Sequence, residues 1–406
     1  MTHRFGTLRR FRFHRPQQIA AAMLAIFLAQ GLWVVSRQTL TDRDYQYARC
    51  GRETWERPEA VPGYFTTCGN IHDGVLAYRM AGLPVTVNLL AERALDRFRK
   101  PENRVAAGTA VSGGEMSTWE LRHQLTHVLL LLRLPFLFAG CALGGCVWWV
   151  TRRLYGNLGG YTALALYCFS PAVLQACLKP SAEVLAALGC YGGVYTCIGV
   201  AHAMQGPVAK WRPRMVLLTV IFGIAAASHV AALFMTALLG LVLMLWVAEG
   251  RRSQVLPVVL VSSLGALVLL FACYGFSPDA FSYVFRSAAG LLWISADPVW
   301  HFFLSFSNAG LLLAAASALV FYLAIRRSRY FGNTTPLLCA VVLFLLVTTG
   351  VPSSPWLWAL PFLVTFIAGV FADAYEGPRG QMAIAAAAAI VLLQAVVCVM
   401  SLPGMA

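Results

Sequence analysis

Residues 19–49 read IAAAMLAIFLAQGLWVV, then SRQTL, then TDRDYQYAR. The first run, Ile19 to Val35, is apolar and long enough to cross a bilayer as a helix. A basic tail precedes it, with Arg4, Arg9, Arg10, Arg12 and Arg15. A basic segment before an apolar run is also the pattern of a signal peptide. The run is long, however, and Gln30 to Arg37 has no small-residue cleavage pattern, so it reads as a retained span with its N-terminus inside. The last run, Thr41 to Arg49, opens a long polar loop from Arg37 to Gln124 and sets two carboxylates, Asp42 and Asp44, among arginines and tyrosines. Two acids at a membrane surface are either a solvated turn after a helix or the start of a chemical site.

The remainder of the chain repeats the apolar theme. Of 406 residues 59% are hydrophobic and 12% charged, where a soluble domain carries about 25% charged residues. The fold class is therefore all-α, a polytopic helical membrane protein of about 11 transmembrane helices. Ten spans follow the first, near 125–151, 158–176, 183–204, 215–228, 230–248, 254–274, 302–325, 334–351, 356–373 and 381–400. Residues 215–248 read as a pair of short helices broken near Ser228-His229. With the N-terminus inside, the inner segments hold Arg152, Arg153, Lys210, Arg212, Arg214, Arg251, Arg252, Arg326, Arg327, Arg329 and Arg379, besides the tail. The short outer loops hold only Lys179 and Arg286. The positive-inside rule accounts for that asymmetry and for the net charge of +14, so nothing calls for nucleic acid. The organisation is a cytoplasmic tail (1–16), a first span (17–36), an extracytoplasmic loop (37–124), a transmembrane module (125–274), a second outer loop (275–301) and a C-terminal transmembrane module (302–406).

Inside the long loop, Leu83 to Lys100 places Val87, Leu90, Ala94, Leu95 and Phe98 at helical spacing, with Arg93, Arg97, Arg99 and Lys100 on or beside the other face. That is a helix lying in the membrane interface, or one covering the bundle with its charges in water. Most of the eleven cysteines sit in apolar runs as small packing residues. Cys50 and Cys68 share the loop, and can form a disulfide if it lies outside the cytoplasm. No 20-to-50-residue repeat, Walker-type phosphate loop or metal-ligand spacing occurs, which argues against a transport ATPase and calls for no metal or other cofactor.

Several stretches, in order, resemble the GT-C superfamily of membrane glycosyltransferases, in particular those like the protein O-mannosyltransferases of glycosyltransferase family 39. They are Asp44-Tyr45-Gln46-Tyr47-Ala48-Arg49 after the first span; Leu132-Arg133-Leu134-Pro135 running to Trp149-Val150-Thr151-Arg152-Arg153-Leu154-Tyr155-Gly156; Tyr167-Cys168-Phe169-Ser170-Pro171 with Glu183 twelve residues on; and Gly223-Ile224-Ala225-Ala226-Ala227-Ser228-His229. They cover roughly the first 250 residues. The chain departs from the family in having Asp42-Arg43-Asp44 where relatives carry Asp-Glu, Arg122-His123-Gln124-Leu125 in place of a His-Pro element, and Pro352-Ser353-Ser354-Pro355-Trp356 where an Arg-Tyr is common.

The resemblance implies transfer of a sugar from a polyprenyl-phosphate donor to a glycan, lipid or protein acceptor. It also implies a site outside the cytoplasm of a bacterial-type inner (plasma) membrane, in the cell envelope. Such transfer needs a carboxylate to take the acceptor's proton and positive charge to stabilise the departing phosphate. Asp44 is the first candidate for the base, Asp42 the second, and Glu183, at the start of a span, the third. Glu183 is equally suited to stabilise a helix N-terminus. Candidate substrate contacts are Arg93, Arg97, Arg133, His229 and Arg286 for phosphate, and Trp55 and Tyr64, beside Trp119 and Trp293, for sugar. Arg133, inside an apolar run, suits pairing with a carboxylate as well; His229 suits packing, and the aromatics suit interface anchoring. Two other functions fit the same composition: a catalytically inactive GT-C-like binding subunit, and a secondary transporter. A transporter is marked by paired broken helices in two related halves, and only one such pair is visible.

Overall fold

The computed structural model describes residues 15–56, 74–98, 118–279, 281–282, 284, 292–294, 297–325, 330–348, 356–377 and 380–406. Among these, nine helices are long and apolar enough to cross a membrane, which makes this an integral, multi-pass membrane protein. The helices are α1 (Arg15–Val35), α2 (Asp42–Glu56), α3 (Val75–Phe98), α4 (Thr118–Cys168), α5 (Pro171–Cys177), α6 (Glu183–Met204), α7 (Val208–Ser228), α8 (Val230–Val247), α9 (Arg252–Cys273), α10 (Asp297–Leu304), α11 (Ala309–Ile325), α12 (Tyr330–Leu345), α13 (Trp356–Tyr375) and α14 (Gly380–Met405).

The nine count the two arms of α4 as one, and the expected span at 334–351 is not among them. The spans expected at 125–151 and 158–176 are the two helices of α4, which meet at a break at Gly156 with φ 77 and ψ −171. That backbone region belongs almost solely to glycine. The chain reverses there, because the Tyr167 hydroxyl donates to the carbonyl of Gly140 at 2.7 Å, two residues that an unbroken helix would hold some 40 Å apart. The returning arm ends at Ser170, whose side chain accepts from the Val173 N–H while Pro171 opens α5. The second difference is α12, which is shorter than the expected span 334–351. Its tail, Leu346–Thr348, is instead a strand, β2, paired antiparallel with β1 (Leu292–Ile294). β-Branched Val347 and Thr348 favour that ribbon over another helical turn. This two-stranded piece is the departure from an all-α chain among the described residues.

The helix α13 is the axis of the bundle. It is apolar along most of its length and almost wholly buried, more so than any other candidate span among the described residues. It packs on α4, α6, α11, α12 and α14. At the arginine-rich end, near Gly156, the Tyr155 hydroxyl donates to the Gly332 carbonyl, and Asn333 donates to Asp373 at 2.5 Å. At the opposite end lie α2 and α3, which cross at a glycine pair. A Cβ on Gly51 would stand 2.7 Å from the Gly82 nitrogen and closer still to the Tyr78 carbonyl. Gly82→Ala should therefore cost about 1–3 kcal/mol and loosen α2 from α3. A thermal melt in detergent reads the first effect, and faster reduction of the Cys50 disulfide reads the second. Unchanged values in both would mean that the crossing is not tight.

Candidate functional site

The site is built on the start of α2. Thr41 and Asp44 cap the helix reciprocally: the Thr41 N–H and hydroxyl donate to Asp44 Oδ2 at 2.9 and 2.7 Å, and the Asp44 N–H donates to Thr41 Oγ1 at 3.3 Å. From α4, Arg133 meets the same carboxylate as a fork, Nε to Oδ1 at 3.0 Å and Nη2 to Oδ2 at 2.5 Å. Arg133 also donates to Gln38 Oε1 and, at 3.2 Å, to the Thr39 carbonyl, while Gln38 donates to the Met405 carbonyl at the end of α14. Asp44 is 0% exposed and Arg133 1%. Four donors meet the Asp44 carboxylate, three at Oδ2 and one at Oδ1. The neighbouring Asp42 is exposed. The sequence ranked Asp44 before Asp42 as a base; the geometry gives Asp44 to the helix and leaves Asp42 at the surface. Arg133, expected among the phosphate contacts, points its donors into the protein.

Behind this latch, Tyr47 stacks on Tyr78 with ring centroids 4.1 Å apart and planes 4° apart, and meets Phe136 edge-on at 6.3 Å. The Arg43 guanidinium lies 5.7 Å from the Tyr47 ring. These rings key α2 to α3 and α4. The start of α3 is pinned to the break between α7 and α8: the Gly74 N–H donates to the Ser228 carbonyl at 2.7 Å. A side chain on Gly74 would run into the carbonyl of Ala227.

His229 occupies that break. The sequence offered it either for a phosphate contact or for packing. It is 2% exposed, its Nδ1 accepting from the Ala231 N–H at 3.3 Å and its ring edge-on to Trp358 of α13 at 5.2 Å. The reason is local: an extended residue between two helices leaves orphan N–H groups at the start of α8, and the imidazole satisfies one. Glu183 lies in the first turn of α6 and is 4% exposed. Its carboxylate is thus set where helix amides favour negative charge.

Trp55, at the far end of α2, is 41% exposed, and its indole N–H donates to the Arg79 carbonyl at 2.8 Å. The Arg79 guanidinium lies 5.0 Å from the Trp55 ring and donates through Nε to the Cys273 carbonyl at 2.7 Å, at the end of α9. Burial draws this guanidinium down from its usual range. Arg79 was not foreseen; its one sequence signal is its place a turn ahead of the apolar stripe that begins at Leu83.

Cys50 is disulfide-bonded, and nine other cysteines are free. Its expected partner, Cys68, lies outside the described residues, as do Tyr64 and Arg286; the side chains of Arg93 and Arg97 do too. Denatured, unreduced protein should accept alkylation at nine thiols, and at eleven after reduction. Eleven in both cases would remove the bond.

Among solved structures, the chain is similar to ArnT from Cupriavidus metallidurans bound to undecaprenyl phosphate. The TM-score is 0.53 at 15% identity, over 96% of this chain and 70% of that one. It is also similar to the Archaeoglobus fulgidus oligosaccharyltransferase in complex with Zn and sulfate, with a TM-score of 0.53 at 12% identity, over 94% of this chain and 52% of the other. No protein-family model matches the sequence, and no curated protein does.

Proposed function

We propose that this chain, whose fold is that of the GT-C glycosyltransferases, is itself a membrane glycosyltransferase. It moves a sugar from a polyprenyl-phosphate donor to a lipid, glycan or protein acceptor at the extracytoplasmic face of a bacterial-type inner membrane. The observation that carries this reading is an exposed acid, Asp42, on a helix whose first turn is locked in place by the buried Asp44–Arg133 fork. A base is useful only where it is held in fixed relation to the reacting atoms, and that lock supplies the rigidity.

In the step proposed, the acceptor hydroxyl attacks the anomeric carbon as the bond from that carbon to the phosphate oxygen breaks. Asp42 takes the hydroxyl proton, and the polyprenyl phosphate leaves as the anion. Attack opposite the leaving group inverts the anomeric centre. Glu183 lies at the same end of the bundle and orients groups around the α6 terminus, while Trp55 offers an exposed ring for a sugar face.

The rival reading, a binding subunit without turnover, is favoured by the use of buried Asp44 in the helix cap and the Arg133 fork. The decisive experiment supplies purified protein with polyprenyl-phosphate hexoses and pentoses and a membrane extract as acceptor, and follows sugar transfer by mass spectrometry. A product formed by wild type and absent with Asp42→Asn supports the transferase. Donor binding without any product supports the subunit.

A further inference from the structure

Trp358 of α13 is 0% exposed, and its indole N–H makes no hydrogen bond among the described residues. A buried indole N–H ordinarily finds a partner, so this one calls for an account.

Its surroundings follow from three packed helices. Helices α6 and α8 run side by side in the same direction: Cys190 meets Ala232, Gly193 meets Thr236, and Cys197 meets Gly240. Glu183 stands seven residues before Cys190 and so returns to the same face of α6, the one turned to α8. That register puts it about one turn beyond His229, the residue at the head of α8. On α13, Thr365 shares a hydrogen bond of 2.8 Å with Tyr191 of α6. Trp358 stands seven residues before Thr365, on the same face of its helix, which brings it level with the first turn of α6. Its ring meets the His229 imidazole edge-on at 5.2 Å. Because His229 Nδ1 accepts from the Ala231 N–H, the ring proton sits on Nε2.

An indole N–H, an imidazole N–H and a carboxylate therefore share one level, at the heads of α6, α8 and α13, where α3 is pinned to Ser228. Few polar groups set among aromatic rings suit a small ligand that both donates and accepts. A hydrocarbon chain would leave the indole N–H unmet, and an anion would face Glu183. A sugar meets all three, with its hydroxyl oxygens accepting and its hydroxyl protons donating.

We propose that Trp358 is a specificity residue, its N–H donating to a hydroxyl oxygen of an uncharged sugar in a pocket completed by His229 and Glu183. The Glu183 carboxylate works against a uronate there. This rests on the transferase reading, in that the sugar is the one carried by the donor.

The test uses the full chain in nanodiscs and native mass spectrometry of bound lipid. Undecaprenyl-phosphate hexoses and pentoses compete there with bare undecaprenyl phosphate. Wild type should prefer at least one sugar-bearing lipid. Trp358→Phe keeps a ring against His229 and removes the N–H, so it should melt like wild type and lose about five- to tenfold of that preference, the worth of one neutral hydrogen bond. One monodeoxy form of the preferred sugar should suffer the same loss in wild type and no further loss in Trp358→Phe. The matching uronate should bind no better than the bare carrier, and Glu183→Gln should admit it.

An unchanged preference in Trp358→Phe would overturn the proposal and leave the N–H to a buried water. So would a wild type indifferent to every sugar, or one that prefers the uronate. If the variant does not fold, the deoxy series in wild type decides alone: no deoxy form that loses the preference overturns the proposal. The pocket and the transferase reading fail separately. A sugar preference that depends on Trp358, with no transfer, keeps the pocket and sinks the enzyme. Transfer with the preference intact in Trp358→Phe keeps the enzyme and sinks the pocket.

Discussion

Asp42→Asn is expected to lower sugar turnover by about 10²–10⁴, the usual worth of a positioned base, with the donor KM unchanged. Asparagine keeps the size of the side chain and its exposed position on the first turn of α2, but it takes up no proton from an attacking hydroxyl. In the proposed step cationic groups, not Asp42, meet the donor phosphate, so binding of the donor should persist. Kinetics on purified protein with a fixed acceptor separate kcat from KM. A matched fall in donor affinity would mean that Asp42 acts by shaping the local field. An unchanged kcat would pass the base to Glu183, and Glu183→Gln would then carry the large loss.

Breaking the Asp44–Arg133 fork should have the opposite signature. Both side chains are buried, and removing one partner leaves the other as an uncompensated charge, at a cost of about 3–5 kcal/mol. Arg133→Ala should therefore lower the melting temperature in detergent markedly and free the start of α2 to hydrogen exchange. Asp44→Asn should do so less severely, because its one amide oxygen still accepts from part of the same donor set. The double variant Asp44→Leu with Arg133→Met should regain most of the stability, since an apolar pair of similar volume often replaces a buried ion pair at little cost. Asp44→Asn that melts like wild type and yet loses turnover would return Asp44 to the chemistry.

The elements of the bundle were readable from local order alone. A stretch such as Val230–Val247 carries its span in its own composition, and the charges flanking such runs orient them. The break at His229 was also legible, because a polar Ser228-His229 pair interrupts two apolar runs too short to be one helix each way. The turn at Gly156 was readable as a boundary between two spans.

The candidate site was legible as a neighbourhood and not as a set of roles. Asp42 and Asp44 are two residues apart and carry the same chemistry, so the sequence ranks them only through the family resemblance, not by their surroundings. They are distinguished by Arg133, 89 residues away from Asp44 along the chain. The Gly51–Gly82 crossing and the Trp55–Arg79–Cys273 clamp are likewise contacts between segments far apart in sequence. Periodicity and composition describe how each segment meets lipid or water, and that environment is set by the segment's own side chains. Which acid is buried against which base depends on how the segments pack together, and a side chain's partner across that packing leaves no mark in its own neighbours along the chain.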